Sequence, residues 1–487
     1  VSSSLGSPAR LLLTVVLLLT AVAPVPATSA ATPVAQQRAS GLQERLERIG
    51  IVDSVTEVPR LAPSGARFFR IWFRLPVDHD RPDGRRFRLR ATLVHRGADR
   101  PTVLATSGYH LNTWRFPYDS EVTRIVGGNQ VTVEHRFFTP SRPRHPNWAT
   151  QLTIRQSAAD QHRIVGALKR IYERRWLSTG ISKGGMTMTY HRRFYPDDVA
   201  ATIAYVAPND AVDTADVYDD FQAEVGGAAY ADCRADLVAV QRRVLDNRRW
   251  FRDRLAERAR DRDLRFGLIG SLDHALEVAV IELYFAFWQY QHAADACPRV
   301  PGPGATRTKV WRWVDTVAGW DWLSNERIRP YVPYYFQAAT ELGSPAPYEE
   351  PVADLLRHPG HDVPASFVPD GLEPLDLDPA AMAGVDAWVR SSAARMLFVY
   401  GELDPWSAEP FACGPDGKER QCLVRWVPEG NHGANVGLLP GGARRAAITR
   451  IRRWAGVSTR EAAVAAAERR ALRTEPERER RTAVPAG

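Results

Sequence analysis

Lysine is nearly missing from this chain: four of its 64 basic residues are Lys and the rest are Arg. The formal net charge of +8 therefore rests on arginine. Those arginines are interspersed with acids and not gathered into a patch, and no nucleic-acid motif accompanies them, so a nucleic-acid partner is excluded. The Arg and Ala bias is that of a GC-rich coding sequence. Cysteine is scarce as well. Cys233, Cys297, Cys413 and Cys422 form no CxxC pair, and no HExxH occurs, so the common zinc signatures are missing. His358-Pro359-Gly360-His361 sits in a Pro/Gly-rich stretch and reads as a loop, not as ligands. No metal and no cofactor is expected.

Long apolar runs are few. Ala275 to Trp288 is apolar but carries Glu277 and Glu282, which predicts a buried helix and not a membrane span. Leu11 to Ala23 is too short to span a bilayer comfortably. It follows Arg10 and runs into Pro24-Val25-Pro26-Ala27-Thr28-Ser29-Ala30, which predicts a secretory signal peptide over residues 1–30. The expected location is extracellular, with no membrane attachment after signal removal. An even number of cysteines in an exported chain predicts two disulfides. Three pairings are open. Cys413–Cys422 is favoured, because the two bracket the turn signal Gly414-Pro415-Asp416-Gly417, and Cys233–Cys297 would then staple the region between.

The most informative stretch present is Trp176-Leu177-Ser178-Thr179-Gly180-Ile181-Ser182-Lys183-Gly184. A short apolar strand enters Gly-x-Ser-x-Gly, and a helix-like run from Met186 to Tyr190 follows, which is the context of a nucleophile elbow. An acid and then a His are expected downstream, each just past a strand. Met396 to Gly401 leads to Asp404, and Cys422 to Val427 leads to His432, the only His beyond Asp404. In this reading Ser182 is the nucleophile, His432 the base, and Asp404 the group that holds the imidazole. Glu402 and Asp210 are the second and third choices of acid. The oxyanion donors are the backbone N–H of Lys183 and that of Tyr109, with His110 as the alternative to Tyr109. The Lys183 side chain is expected to be solvated or paired and outside the chemistry.

Around these motifs, strands alternate with helical patterns. The predicted fold class is α/β: an α/β-hydrolase sheet with a large helical cap inserted between nucleophile and acid. The expected organisation is an N-terminal extension over 31–67, core over 68–211, cap over 212–385, core again over 386–459, and a charged tail over 460–487. Ala231 to Arg260, Ser271 to His292 and Arg307 to Leu323 read as cap helices.

Several segments carry a family resemblance. They are Thr106-Ser107-Gly108-Tyr109, Glu134-His135-Arg136-Phe137-Phe138 with Ser141-Arg142-Pro143 and Trp148, the Ser182 elbow, and Gly401-Glu402-Leu403-Asp404-Pro405-Trp406. Together they resemble the secreted tripeptidyl aminopeptidases of actinomycetes. The Glu134 block also looks like its counterpart in prolyl carboxypeptidase and dipeptidyl peptidase relatives. The resemblance implies release of tripeptides from free N-termini, often with Pro before the scissile bond, and it places Ser182, Asp404 and His432 on the family's triad. Peptide or protein N-termini are then the partners. From the residues, cap aromatics such as Trp288, Tyr290, Trp311, Trp313, Trp320, Trp322, Tyr334 and Tyr335 are candidates for an apolar proline slot. Asp219, Asp220, Glu224 and Glu134 are candidates to pair with a substrate ammonium group. The rival readings are a secreted esterase or lipase with the same triad, and a non-catalytic binding protein on a hydrolase scaffold.

Overall fold

The computed structural model describes residues 41–211, 217–458 and 460–461. The stretch read as a signal peptide and nearly all of the charged tail lie outside those residues. The sheet has nine strands, β1 (Val52–Glu57), β2 (Arg67–Pro76), β3 (Arg86–His95), β4 (Thr102–Thr106), β5 (Asn129–Val133), β6 (Trp176–Ile181), β7 (Ala201–Tyr205), β8 (Met396–Gly401) and β9 (Cys422–Val427). Their spatial order is β1-β2-β3-β5-β4-β6-β7-β8-β9. β1, β2, β3 and β5 pair antiparallel, and from β5 to β9 every pairing is parallel. β4, β5, β7 and β8 are buried at every residue, as strands covered by helices on both faces must be. The sheet begins earlier than the sequence pattern suggests. β1 comes from the stretch read as an N-terminal extension, and as an edge strand it buries only Val55.

Between β7 and β8 the described residues add helices and no strand of the sheet. The long cap helix Leu272–Tyr290 is capped by Ser271, whose hydroxyl accepts from the Asp273 and His274 amides. Its apolar faces pack against Ala231–Asp246, Arg248–Arg262 and Arg307–Val317 in one buried cluster. The stretch Ala231 to Arg260, expected as one helix, is broken at Asn247 (φ −103°, ψ 23°). Trp311 and Trp320 stack at 4.5 Å between centroids, and the Trp320 indole donates to the Trp311 carbonyl. With Trp288 they belong to the core of the cap and not to a slot. Among the described residues no helix is long and apolar enough to cross a membrane.

Both disulfides form as expected, Cys233–Cys297 and Cys413–Cys422. They close loops of very different size, with sequence separations of 64 and 9. The chain-entropy model gives about 4 kcal/mol for the first and about 3 kcal/mol for the second. Replacing Cys233 and Cys297 together by Ala is therefore expected to lower the thermal midpoint more than replacing Cys413 and Cys422. Calorimetry of the two double variants checks this.

Candidate active site

β6 runs in the middle of the sheet, between β4 and β7, and delivers Ser182 at its C-terminal end. Ser182 has φ 55° and ψ −128°, a conformation that costs an L-residue energy and that an elbow imposes. The turn closes tightly, because a Cβ on Gly180 would run into the Gly184 carbonyl. Ser182 is followed directly by the helix Lys183–Phe194, so the Lys183 N–H lies in a first turn that lacks intrahelical acceptors.

The loop after β4 packs onto this elbow. Gly108, at φ +78°, has no room for a side chain, since its Cβ would stand 2.8 Å from the Gly184 nitrogen. The Tyr109 N–H donates to the Ser107 hydroxyl at 3.1 Å, a bond that an oxyanion would have to replace. The Lys183 side chain, expected to be solvated or paired, is paired. It is buried, not solvated, and its ammonium donates to the Gly108 carbonyl (3.0 Å) and to Gln337 Oε1 (2.9 Å). Burial lowers its pKa to about 7. It ties the loop after β4 to the Ser182 elbow.

Asp404 follows β8 and is fully buried. Its Oδ2 accepts from the Ser407 hydroxyl and meets His432 Nδ1, both at 2.8 Å, while Oδ1 accepts from the Trp406 amide. A carboxylate can only accept here, so Nδ1 is the nitrogen that donates, which in the neutral imidazole leaves the lone pair on Nε2. His432 is held from the cap side as well. Its own N–H donates to the Gln289 carbonyl at 3.0 Å, and Asn431 Nδ2 donates to the Gln291 carbonyl at 3.1 Å. Glu402 is exposed and accepts from the Glu429 amide, away from the imidazole. Asp210 lies on the wall of the cleft that contains Ser182, beside Tyr109, Lys183, Tyr334 and Trp406.

Glu134 is engaged internally. Its carboxylate takes two bonds from Arg90 (2.6 and 2.7 Å), one from the Ser141 hydroxyl and one from the Leu111 amide. No lone pair of good geometry remains for a substrate, which corrects its assignment as an ammonium partner. Asp219, Asp220 and Glu224 are exposed on the short helix Tyr218–Glu224. Buried Gln222 of the same helix faces a cavity of about 100 Å³. Of the aromatics expected around a slot, Trp322, Tyr334 and Tyr335 line this cavity, together with Phe285, Phe367 and Trp406, which had not been singled out. Tyr334, Ser344 and Trp406 also line the Ser182 cleft, so the two spaces adjoin.

A serine on a strained elbow in a parallel sheet, with an acid–imidazole pair past the last two strands and a helical insertion beside it, defines an α/β-hydrolase. The chain belongs to the peptidase S37 family, described as PS-10 peptidase S37, whose model matches residues 35–484. It is 42% identical over 450 residues to the prolyl tri/tetrapeptidyl aminopeptidase of Streptomyces mobaraensis, covering 92% of each chain. Among solved structures it is similar to the proline iminopeptidase of Mycobacterium smegmatis, with TM-score 0.38, 13% identity and coverage of 79% and 98% of the two chains. It is also similar to epoxide hydrolase A of Mycobacterium thermoresistibile, with TM-score 0.33, 15% identity and coverage of 75% and 95%. At such scores neither structural likeness bears on the activity. The family makes the protein a peptidase.

Proposed function

We propose that this peptidase releases tripeptides from free N-termini, favours Pro before the scissile bond, and works through Ser182, His432 and Asp404. In the first step Ser182 Oγ bonds to the scissile carbonyl carbon while its proton passes to His432 Nε2. The N–H groups of Lys183 and Tyr109 receive the negative oxygen. His432 then returns the proton to the leaving amine as the C–N bond breaks, which leaves an acyl-enzyme. Water, deprotonated by His432, cleaves the ester and frees the tripeptide. Asp404 keeps the imidazole in the productive tautomer and stabilises its charged form.

The observation that carries the exopeptidase reading is the aromatic cavity beside the Ser182 cleft. A pocket next to the nucleophile, walled by cap residues, favours a chain end over a polypeptide that must pass through. The relationship to a prolyl tri/tetrapeptidyl aminopeptidase supports the same unit and the preference for Pro. The two disulfides and the apolar stretch near the N-terminus support secretion.

The test sets Ala-Ala-Pro anilides with free and acetylated N-termini against short acyl esters. The free peptide is expected to have kcat/KM at least ~10-fold above the acetylated one, because acetylation removes a charge that a buried acceptor would pair with. Equal cleavage of both peptides sinks the aminopeptidase reading. Turnover of esters alone supports an esterase, and turnover of nothing supports a binding protein.

A further inference from the structure

The cap helix Leu272–Tyr290 carries two acids that are treated differently. Glu277 has a cation, with Arg248 Nη1 at 2.5 Å, and it also accepts from the Arg357 and His358 amides. Glu282, five positions on, has no such neighbour among the described residues. Its carboxyl group is hydrogen-bonded to that of Asp362, and both line the aromatic cavity. No Arg, Lys or His is among the described residues that form the wall. A third polar group lies in the same wall. Gln222 is 1% exposed, and neither its amide nitrogen nor its amide oxygen has a partner among the described residues. Buried polar groups are normally satisfied, so the orphaned amide oxygen and the acid pair call for a ligand that donates hydrogen bonds and carries positive charge, and the orphaned amide N–H for an acceptor on the same ligand.

We propose that Glu282, Asp362 and Gln222 form the pocket for the substrate's α-ammonium group, an inference that rests on the exopeptidase reading above. An ammonium has three N–H donors, and the pocket has three acceptors for them. Phe285, Trp322, Tyr335 and Phe367 surround the acids with apolar surface that suits the first side chain of the peptide. The helix also sets a distance. Glu282 lies seven positions before Gln289, whose carbonyl holds His432, and that is about 10 Å of helix. Three extended residues span ~10 Å. Anchoring the ammonium at Glu282 therefore brings the third residue to the level of the catalytic loop.

The pocket is pH-sensitive by construction. Burial raises Glu282 to about 7, with the Asp362 bond opposing the rise, and burial and the Glu282 charge push Asp362 up further. The other titratable groups facing the pair are Glu349 and the phenols of Tyr290, Tyr334 and Tyr335. Below about pH 7 Glu282 takes a proton and the pocket loses its charge. Above ~8 the substrate amine loses its own proton.

The experiment compares kcat/KM for free and acetylated Ala-Ala-Pro anilides in the wild type, Glu282→Gln, Asp362→Asn and Gln222→Leu, with active sites counted by a phosphonate that labels serine. The free-to-blocked ratio is expected to fall by ~10-fold or more in Glu282→Gln, mostly through KM, and by a smaller factor in Asp362→Asn and Gln222→Leu. In the wild type the ratio peaks between about pH 7 and 8. Glu282→Gln flattens its acidic limb. If the wild type prefers the free peptide and every foldable variant keeps that ratio, the pocket assignment is overturned and the exopeptidase reading stands. A wild type without preference removes both. Gln222→Leu leaves the acid pair intact, so it decides the matter should the acid variants fail to fold.

Discussion

Ser182→Ala is expected to lower kcat on peptide substrates by about 10⁶-fold, the loss known for removing a serine-protease triad, while the protein still folds. The expectation rests on the strained Ser182 backbone, the open first turn behind it and its place on the cleft wall. Alanine keeps the elbow and removes only Oγ. His432→Ala should be as damaging, and the double variant no worse than either single one, because residues acting as one unit are not additive. Single-turnover kinetics on the three variants measures this. Near-normal turnover by Ser182→Ala, or multiplied losses in the double variant, would contradict the mechanism.

Asp404→Asn is the second large effect, with an expected loss of ~10⁴ in kcat. The buried Asp404 Oδ2 accepts at once from Ser407 Oγ and His432 Nδ1. An amide in its place can offer N–H to the imidazole, which favours the tautomer with its proton on Nε2 and so removes the base. Glu402→Gln is expected to change kcat less than twofold, since Glu402 is exposed and bonded to the Glu429 amide. Steady-state kinetics on both variants checks the assignment. A larger loss in Glu402→Gln would transfer the role of the acid.

The parts that were readable in the sequence were those whose signal is local. Apolar strands bounded by glycine, as at Trp176–Ile181 and Met396–Gly401, announce themselves within six residues. The turn residues between Cys413 and Cys422 did the same for one disulfide. β1 escaped because Val55 is its only buried residue, so no alternation marks it. The break at Asn247 escaped because no Gly or Pro announces it. The ammonium pocket escaped for a different reason. Gln222, Glu282 and Asp362 come from three separate cap segments, and nothing in any one of them shows that the others are near. The expectation fell on Asp219, Asp220 and Glu224, which share a helix with Gln222 but are exposed. The Lys183 side chain could be read only as solvated or paired, because the burial of its ammonium depends on Gly108 and Gln337, far away in sequence.

The bonds from the end of the long cap helix to the His432 loop have a bearing on how such enzymes can be rebuilt. The Gln289 and Gln291 carbonyls hold His432 and its neighbour Asn431. Swapping caps between relatives is the obvious way to exchange specificities, since the insertion looks like an accessory placed on a finished enzyme. Here the accessory is part of the machine: a graft that replaces the whole insertion also removes two supports of the His432 loop. A working chimera would have to retain the last turn of this helix with Gln291 just past it, which makes the residues from Ile281 back toward Leu272 the natural seam for engineering.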